Sequence, residues 1–181
     1  MLAIGSDHGG FALKQEVMAH LREKGIEYKD NGERAIFFAR GVLETVKKLR
    51  WIPDVIHCQG WMSAILPYYI KTVFKDEPCF ADAKIVTSLF NNDLTGNFSR
   101  KFKKSIKFNE ATSEILDNYK SPFNCTELVK LAIDYSDAIV EAVPDLCTEL
   151  KDYSIKRNIP ILNYQEDENL GTALTDFYES L

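Results

Sequence analysis

The sequence has 181 residues, 45% of them hydrophobic and 27% charged, with a formal net charge of −5. That length suits one domain with a sizeable core. The acidic balance argues against nucleic acid and anionic membranes, which both select a net basic face, and no apolar run approaches the ~20 residues that span a bilayer.

Residues 2–6, Leu-Ala-Ile-Gly-Ser, are a short apolar run ending in small residues and predict a first strand. Asp7, His8, Gly9 and Gly10 follow as a turn. From residue 11 to 24, Phe11, Leu13, Val17, Met18 and Leu21 fall on one side of a helix, and Gly25 suits its cap. The opening lacks the basic region and long apolar stretch of a secretory signal, so a cytoplasmic location is expected.

Residues 28–32 read as a polar turn, and Asp30 with Arg34 as a capping and ion-pair arrangement at the start of the next helix. Residues 33–49 give the clearest helical pattern. Ile36, Val42, Leu43, Val46 and Leu49 recur at helical spacing, and Lys47, Lys48 and Arg50 sit where cations complement the dipole. Residues 54–58 predict a second strand, Gln59-Gly60-Trp61 a turn, and residues 62–74 a helix.

Residues 84–90 predict a third strand, followed by a polar loop to about Ser99. Arg100-Lys101-Phe102-Lys103-Lys104 reads as a solvated helix face. Residues 126–135 predict a helix capped by Thr126, residues 138–140 a fourth strand, and Pro144 the first turn of a helix running to about Arg157. Residues 159–162 predict a weak last strand and residues 169–181 a final helix.

Strands alternate with helices throughout. The expected fold is a single three-layer α/β/α domain over residues 1–181, with a mostly parallel, Rossmann-like sheet. Ligands in such sheets bind beyond the C-terminal strand ends. Those ends fall at Ser6-Asp7-His8, Cys58-Gln59-Gly60 and Phe90-Asn91-Asn92. The cysteines, Cys58, Cys79, Cys125 and Cys147, show no zinc-finger or CxxC spacing and read as buried thiols of a reducing compartment. His57 and Cys58 are adjacent on a strand, so they point to opposite faces.

Ile4-Gly5-Ser6-Asp7-His8-Gly9-Gly10, with Leu13-Lys14 behind it, resembles the start of ribose-5-phosphate isomerase B. The resemblance covers about the first 30 residues. A strand feeding a glycine turn into a helix N-terminus offers free N–H groups to an anion. The resemblance implies that Asp7 and His8 contact a sugar phosphate. That family also carries a later CGTGxG loop with the base that moves the proton. This sequence has none, so isomerase activity is not expected.

From about residue 28 to 181 the chain carries a longer resemblance, residues 31–181 forming the main part of the domain beyond the first strand–helix unit. Asp30-Asn31-x-Glu33-Arg34-Ala35-Ile36-Phe37-Phe38, Trp51-x-Pro53-Asp54-Val55-Ile56-His57-Cys58, Trp61, Leu66-Pro67, the strand at 84–89 and Tyr135-Ser136-Asp137 are similar to the N-terminal domain of bacterial glycogen and starch synthases. The resemblance implies a transferase that extends an α-1,4-glucan from a sugar nucleotide, with this domain on the acceptor side.

Several family positions differ here. The His-Asp-Trp after the second strand reads Gln59-Gly60-Trp61, and the His-Asn after the third reads Phe90-Asn91. Gln59 can hydrogen-bond a hydroxyl but carries no imidazolium charge. The K-x-GGL loop that reaches the donor phosphates is replaced by the isomerase-like opening, and the second, nucleotide-binding domain of the family is not expected.

Taken together, the expected function is a synthase-like glycosyltransferase N-domain that binds glucan or sugar, with impaired or absent turnover. The alternatives are a sugar-phosphate-binding protein, or a chimera of the two segments with no ligand. The candidate binding residues are Asp7, His8, His57, Gln59, Trp61 and Asn91. No cofactor and no metal are expected. The expected ligand is a glucan or a small sugar or sugar phosphate, and homo-oligomer formation is left open.

Overall fold

The strand–helix alternation folds into two parallel sheets among the described residues. The computed structural model describes residues 2–3, 28–29, 31–91 and 96–181. Strands β1 (Leu2–Ala3) and β2 (Tyr28–Lys29) pair in parallel, Leu2 opposite Tyr28. Helix α1 (Asn31–Leu49) follows. The larger sheet contains β3 (Val55–Gln59), β4 (Lys84–Leu89), β5 (Ala138–Glu141) and β6 (Ile161–Leu162), side by side in chain order and all parallel.

That order decides where the helices go. Successive right-handed crossovers that all step in one direction leave their connections on one face of the sheet. Helices α2 (Leu66–Thr72), α4 (Cys125–Asp134) and α5 (Thr148–Lys156) accordingly share a face. The short α3 (Arg100–Ser105) and a 3-10 turn (Glu114–Asn118) lie between β4 and α4 in the chain. The opposite face is covered, among the described residues, by the last helix, α6 (Asp167–Glu179).

Strand alternation divides the core to match. On the first face Ile56, Cys58 and Ile85 pack with Ile36, Ala39 and Leu43 of α1, Tyr69 and Ile70 of α2, and Leu128 and Leu131 of α4. Leu89 and Ile139 continue it against Ile133 of α4 and Leu150 of α5. On the second face Val86, Ala138 and Val140 meet Leu174, Phe177, Tyr178 and Leu181. Cys58 and Cys125 are buried in the first-face layer, and burial pushes both thiols up to about 12. His57 lies on the other face from Cys58, as the alternation requires.

Helix α1 is tied down at its first turn and at its middle. Gly32 sits so close to α3 that a Cβ there would stand 2.6 Å from Phe102 Cδ2 and 2.8 Å from Phe98 Cδ1. Arg40 Nη2 donates to the carbonyls of Ser105 (2.9 Å) and Lys107 (2.6 Å), with its guanidinium 4.4 Å from the centre of the Phe108 ring.

Several boundaries differ from the sequence expectation. Tyr28–Lys29 is a strand and Asn31 already opens α1, so the polar turn expected at 28–32 is not there. A two-residue parallel strand is held by backbone pairing and needs no apolar side chain. Helix α2 starts at Leu66, because residues 60–65 form hydrogen-bonded turns and Pro67 fits only the first helical turn. The cap of α4 is Asn124, whose Oδ1 accepts the Glu127 N–H at 3.0 Å, instead of Thr126. Pro144 precedes its helix: α5 begins at Thr148, after a turn anchored by buried Leu146. Cys147, expected to be buried, is exposed at the N-cap of α5. The basic run at 100–104 is helical as expected, with Lys101, Lys103 and Lys104 exposed and Phe102 buried. Asp7, His8, the helix expected at 11–24 and Asp30 lie outside the described residues.

Candidate functional site

The C-terminal edge of the larger sheet gathers three of the expected binding residues. Gln59 ends β3 and pairs in register with Ser88, one residue before the end of β4. Asn91 follows β4 by two residues, so both polar side chains stand at the same edge of neighbouring strands. Gln59 and Asn91 are exposed, and Trp61 is half-buried in the turn between β3 and α2.

The turn after β3 depends on two residue choices. Gly60 adopts φ +69°, a left-handed conformation that costs glycine nothing. Ser63 is buried, and its hydroxyl donates to the carbonyls of Gln59 (2.8 Å) and Gly60 (2.9 Å). The backbone is thereby fixed while the Gln59 side chain points free into solvent, with an amide that can donate and accept.

Asn91 has a different role in the edge. Its Oδ1 accepts the Cys147 N–H at 2.8 Å, and its Nδ2 donates to the Asp145 carbonyl at 2.9 Å. Both ends of the amide are therefore spent on the turn that leads into α5. Asn91 clamps the end of β4 to the N-terminus of α5 and shapes the rim of the edge.

His57 lies two residues inside the edge and faces α6. Its Nδ1 is 2.6 Å from the Tyr178 hydroxyl and its Nε2 is 2.7 Å from Ser88 Oγ. Each hydroxyl can donate or accept, so the neutral ring is satisfied in either tautomer. Burial holds its pKa below the ordinary histidine value. Both ring nitrogens are engaged by this chain's own side chains. Sequence reading missed these two partners. Thr87 and Ser88 were visible as polar residues in an apolar strand, but Tyr178 is 121 residues from His57 and no local pattern links them.

Glu141 was also missed. It ends β5 buried at the same edge, with an oxygen 3.3 Å from Lys151 Nζ on α5. Among the described residues no three His, Cys, Asp or Glu side chains are grouped as metal ligands would be.

A parallel four-strand sheet with its crossover helices packed against it defines a Rossmann-like α/β domain. The chain belongs to the starch synthase catalytic domain family, whose profile matches residues 11–160. It is 34% identical over 122 residues to the glycogen synthase of Clostridium perfringens, covering 67% of this chain and 25% of that protein. To the glycogen synthase of Chlorobaculum parvum it is 30% identical over 127 residues, covering 70% of this chain and 25% of the relative. The chain thus spans about a quarter of the length of these relatives.

A similar fold occurs in the catalytic domain of starch synthase IV from Arabidopsis thaliana, bound to ADP and acarbose. The TM-score is 0.57 at 18% identity, over 76% of this chain and 30% of that one. The family match begins at residue 11, inside the first 30 residues. It ends at residue 160, before β6 and α6. No helix among the described residues is long and apolar enough to cross a membrane.

Proposed function

We propose that this chain is a glucan-binding domain of the glycogen and starch synthase type that, by itself, transfers little or no glucose. The observation that carries the reading is the turn at the end of β3. Its backbone is held in place by Gly60 and Ser63, yet it offers only the neutral amide of Gln59 at 59 and no side chain at 60. Such an edge can hydrogen-bond sugar hydroxyls through Gln59 and offer the Trp61 ring to an apolar sugar face. Glycosyl transfer also needs the departing diphosphate to be stabilised by preorganised charge or dipoles. Gln59 and Gly60 supply no such charge. The ADP and acarbose held by the Arabidopsis enzyme support a sugar ligand for this fold.

Affinity electrophoresis through glycogen, with a parallel assay of glucose incorporation from ADP-glucose, tests both halves. The expected result is retardation by glycogen, reduced in Gln59→Ala, without incorporation. Unretarded migration would remove the binding claim, and turnover at rates usual for such synthases would remove the claim of lost transfer.

A further inference from the structure

Six large apolar side chains stay exposed among the described residues, and three of them lie on α1. Phe37 is 74% exposed, Leu49 69% and Phe38 44%. Helix α1 thus carries apolar groups on two sides. Ile36, Ala39 and Leu43 meet the core, while Phe37 and Phe38 face outward. A helix covered on one side only needs a single such stripe.

The outward stripe has a notch at its middle. Arg34, Phe37, Phe38, Gly41, Glu44 and Thr45 recur at steps of three and four and are all exposed, so they share the outer face. Gly41 stands in the helix interior, where glycine is less favourable than alanine. A Cβ at that position would meet nothing within 4 Å, so packing among the described residues does not require glycine there. Thr45 Oγ1 donates back to the Gly41 carbonyl at 2.6 Å, which satisfies the hydroxyl within its own helix. The notch is therefore bordered by two aromatic rings on one side and a satisfied threonine on the other.

Rings and notch complement each other across a two-fold axis. In an antiparallel pair of α1 helices, Phe37 and Phe38 of each copy can stand level with Gly41 of the other. Arg34 of each copy then comes level with Glu44 and Thr45 of the other, because the two sets lie three to four residues away in opposite directions. A crossing centred on Gly41 would instead set Arg34 beside Lys48 of the other copy, like charge against like. Charge thus selects one register, and the two-fold axis makes every contact twice. The missing Cβ lets the helix axes approach to about 8 Å, the close end of the usual range.

We propose that the outer face of α1 joins two copies of this chain in an antiparallel helix pair. One helix face is smaller than a standard stable interface, so the dimer is reversible. The inference does not depend on the glucan reading of the turn at Gln59.

The test is sedimentation equilibrium of the 181-residue chain from about 1 μM to about 1 mM, the range in which a small interface assembles. A monomer–dimer equilibrium is expected. Gly41→Leu fills the notch with a better helix former. It should weaken association about tenfold or more while its thermal midpoint, read in dilute solution, stays level or rises. Arg34→Glu and Glu44→Arg should each weaken association about tenfold or more, since each sets like charges together. An equimolar mixture of these two variants regenerates both opposite-charge contacts and should recover the dimer. A single monomeric species throughout, a dimer that Gly41→Leu leaves unchanged, or a mixture that associates no better than its components overturns the proposal.

Discussion

The two faces of the larger sheet are made from the same strands but are held in different ways. On one face, α1, α2, α4 and α5 build continuous layers, with residues such as Ile85, Leu128 and Ile139 fully enclosed. Polar groups in those layers are cross-linked, as in the network of Lys130 with Glu127 and Glu149. The other face is covered among the described residues by α6, which has no fully buried residue of its own. Its hold combines three partly buried side chains, Leu174, Phe177 and Tyr178, with the Tyr178–His57–Ser88 chain, and Leu181 adds to it just past the helix end. Val86 and Ala138 on that face are as enclosed as Ile85 and Ile139, so the difference lies in the covering helices, and strand order sets how many helices each face carries. A sheet that steps steadily in one direction loads its crossovers on one side, and the other side depends on what the chain adds afterwards.

The largest test of this contrast is Lys130→Ala. It strands the buried Glu127 carboxylate and is expected to cost about 3–5 kcal/mol of stability in urea unfolding. Because the coupling is direct, Glu127→Ala added to it recovers part of the loss. Gly32→Ala comes next, at about 1–3 kcal/mol, since the new methyl meets Phe102 and Phe98 where Phe102 is too enclosed to yield. A neutral outcome would mean that α1 is loosely seated and that the first face is less rigid than its contacts indicate.

Tyr178→Phe is expected to have the smallest effect, about 0.5–1.5 kcal/mol, read as faster amide exchange confined to α6. The same helix has a pH signature. The folded pKa of His57 lies below its ordinary value of 6.5 because of burial. The unfolded chain therefore binds the proton first as pH falls below about 6.5, and stability declines from there down to the folded pKa. Protection of α6 should weaken over that window, and His57→Gln should flatten the slope. If Tyr178→Phe cost as much as Lys130→Ala, the two faces would not differ as described.

Much of the fold was legible because it follows from periodicity. Every strand of the larger sheet and the long α1 were placed within a residue or two by apolar runs and helical spacing. The synthase resemblance likewise rested on a local string, Trp51 through Cys58. The errors cluster where a short polar side chain chooses between backbone partners. Asn124, not Thr126, caps α4, and Asn91 draws Cys147 into a turn that delays α5 past Pro144. Either choice satisfies local stereochemistry, and only the packed surroundings select one.

By itself the sequence determined the α/β class, the strand ends and the residue types offered there, including the replacement of an ionisable pair by Gln59 and Gly60. Those properties are local: two-residue and 3.6-residue periods, and side-chain identity at a strand terminus. Tertiary structure decided what each polar side chain does. It left Gln59 exposed, spent Asn91 on the α5 turn, and engaged His57 with Tyr178 and Ser88. A hydrogen bond is settled by which groups packing brings within about 3 Å, and that distance carries no trace of separation along the chain.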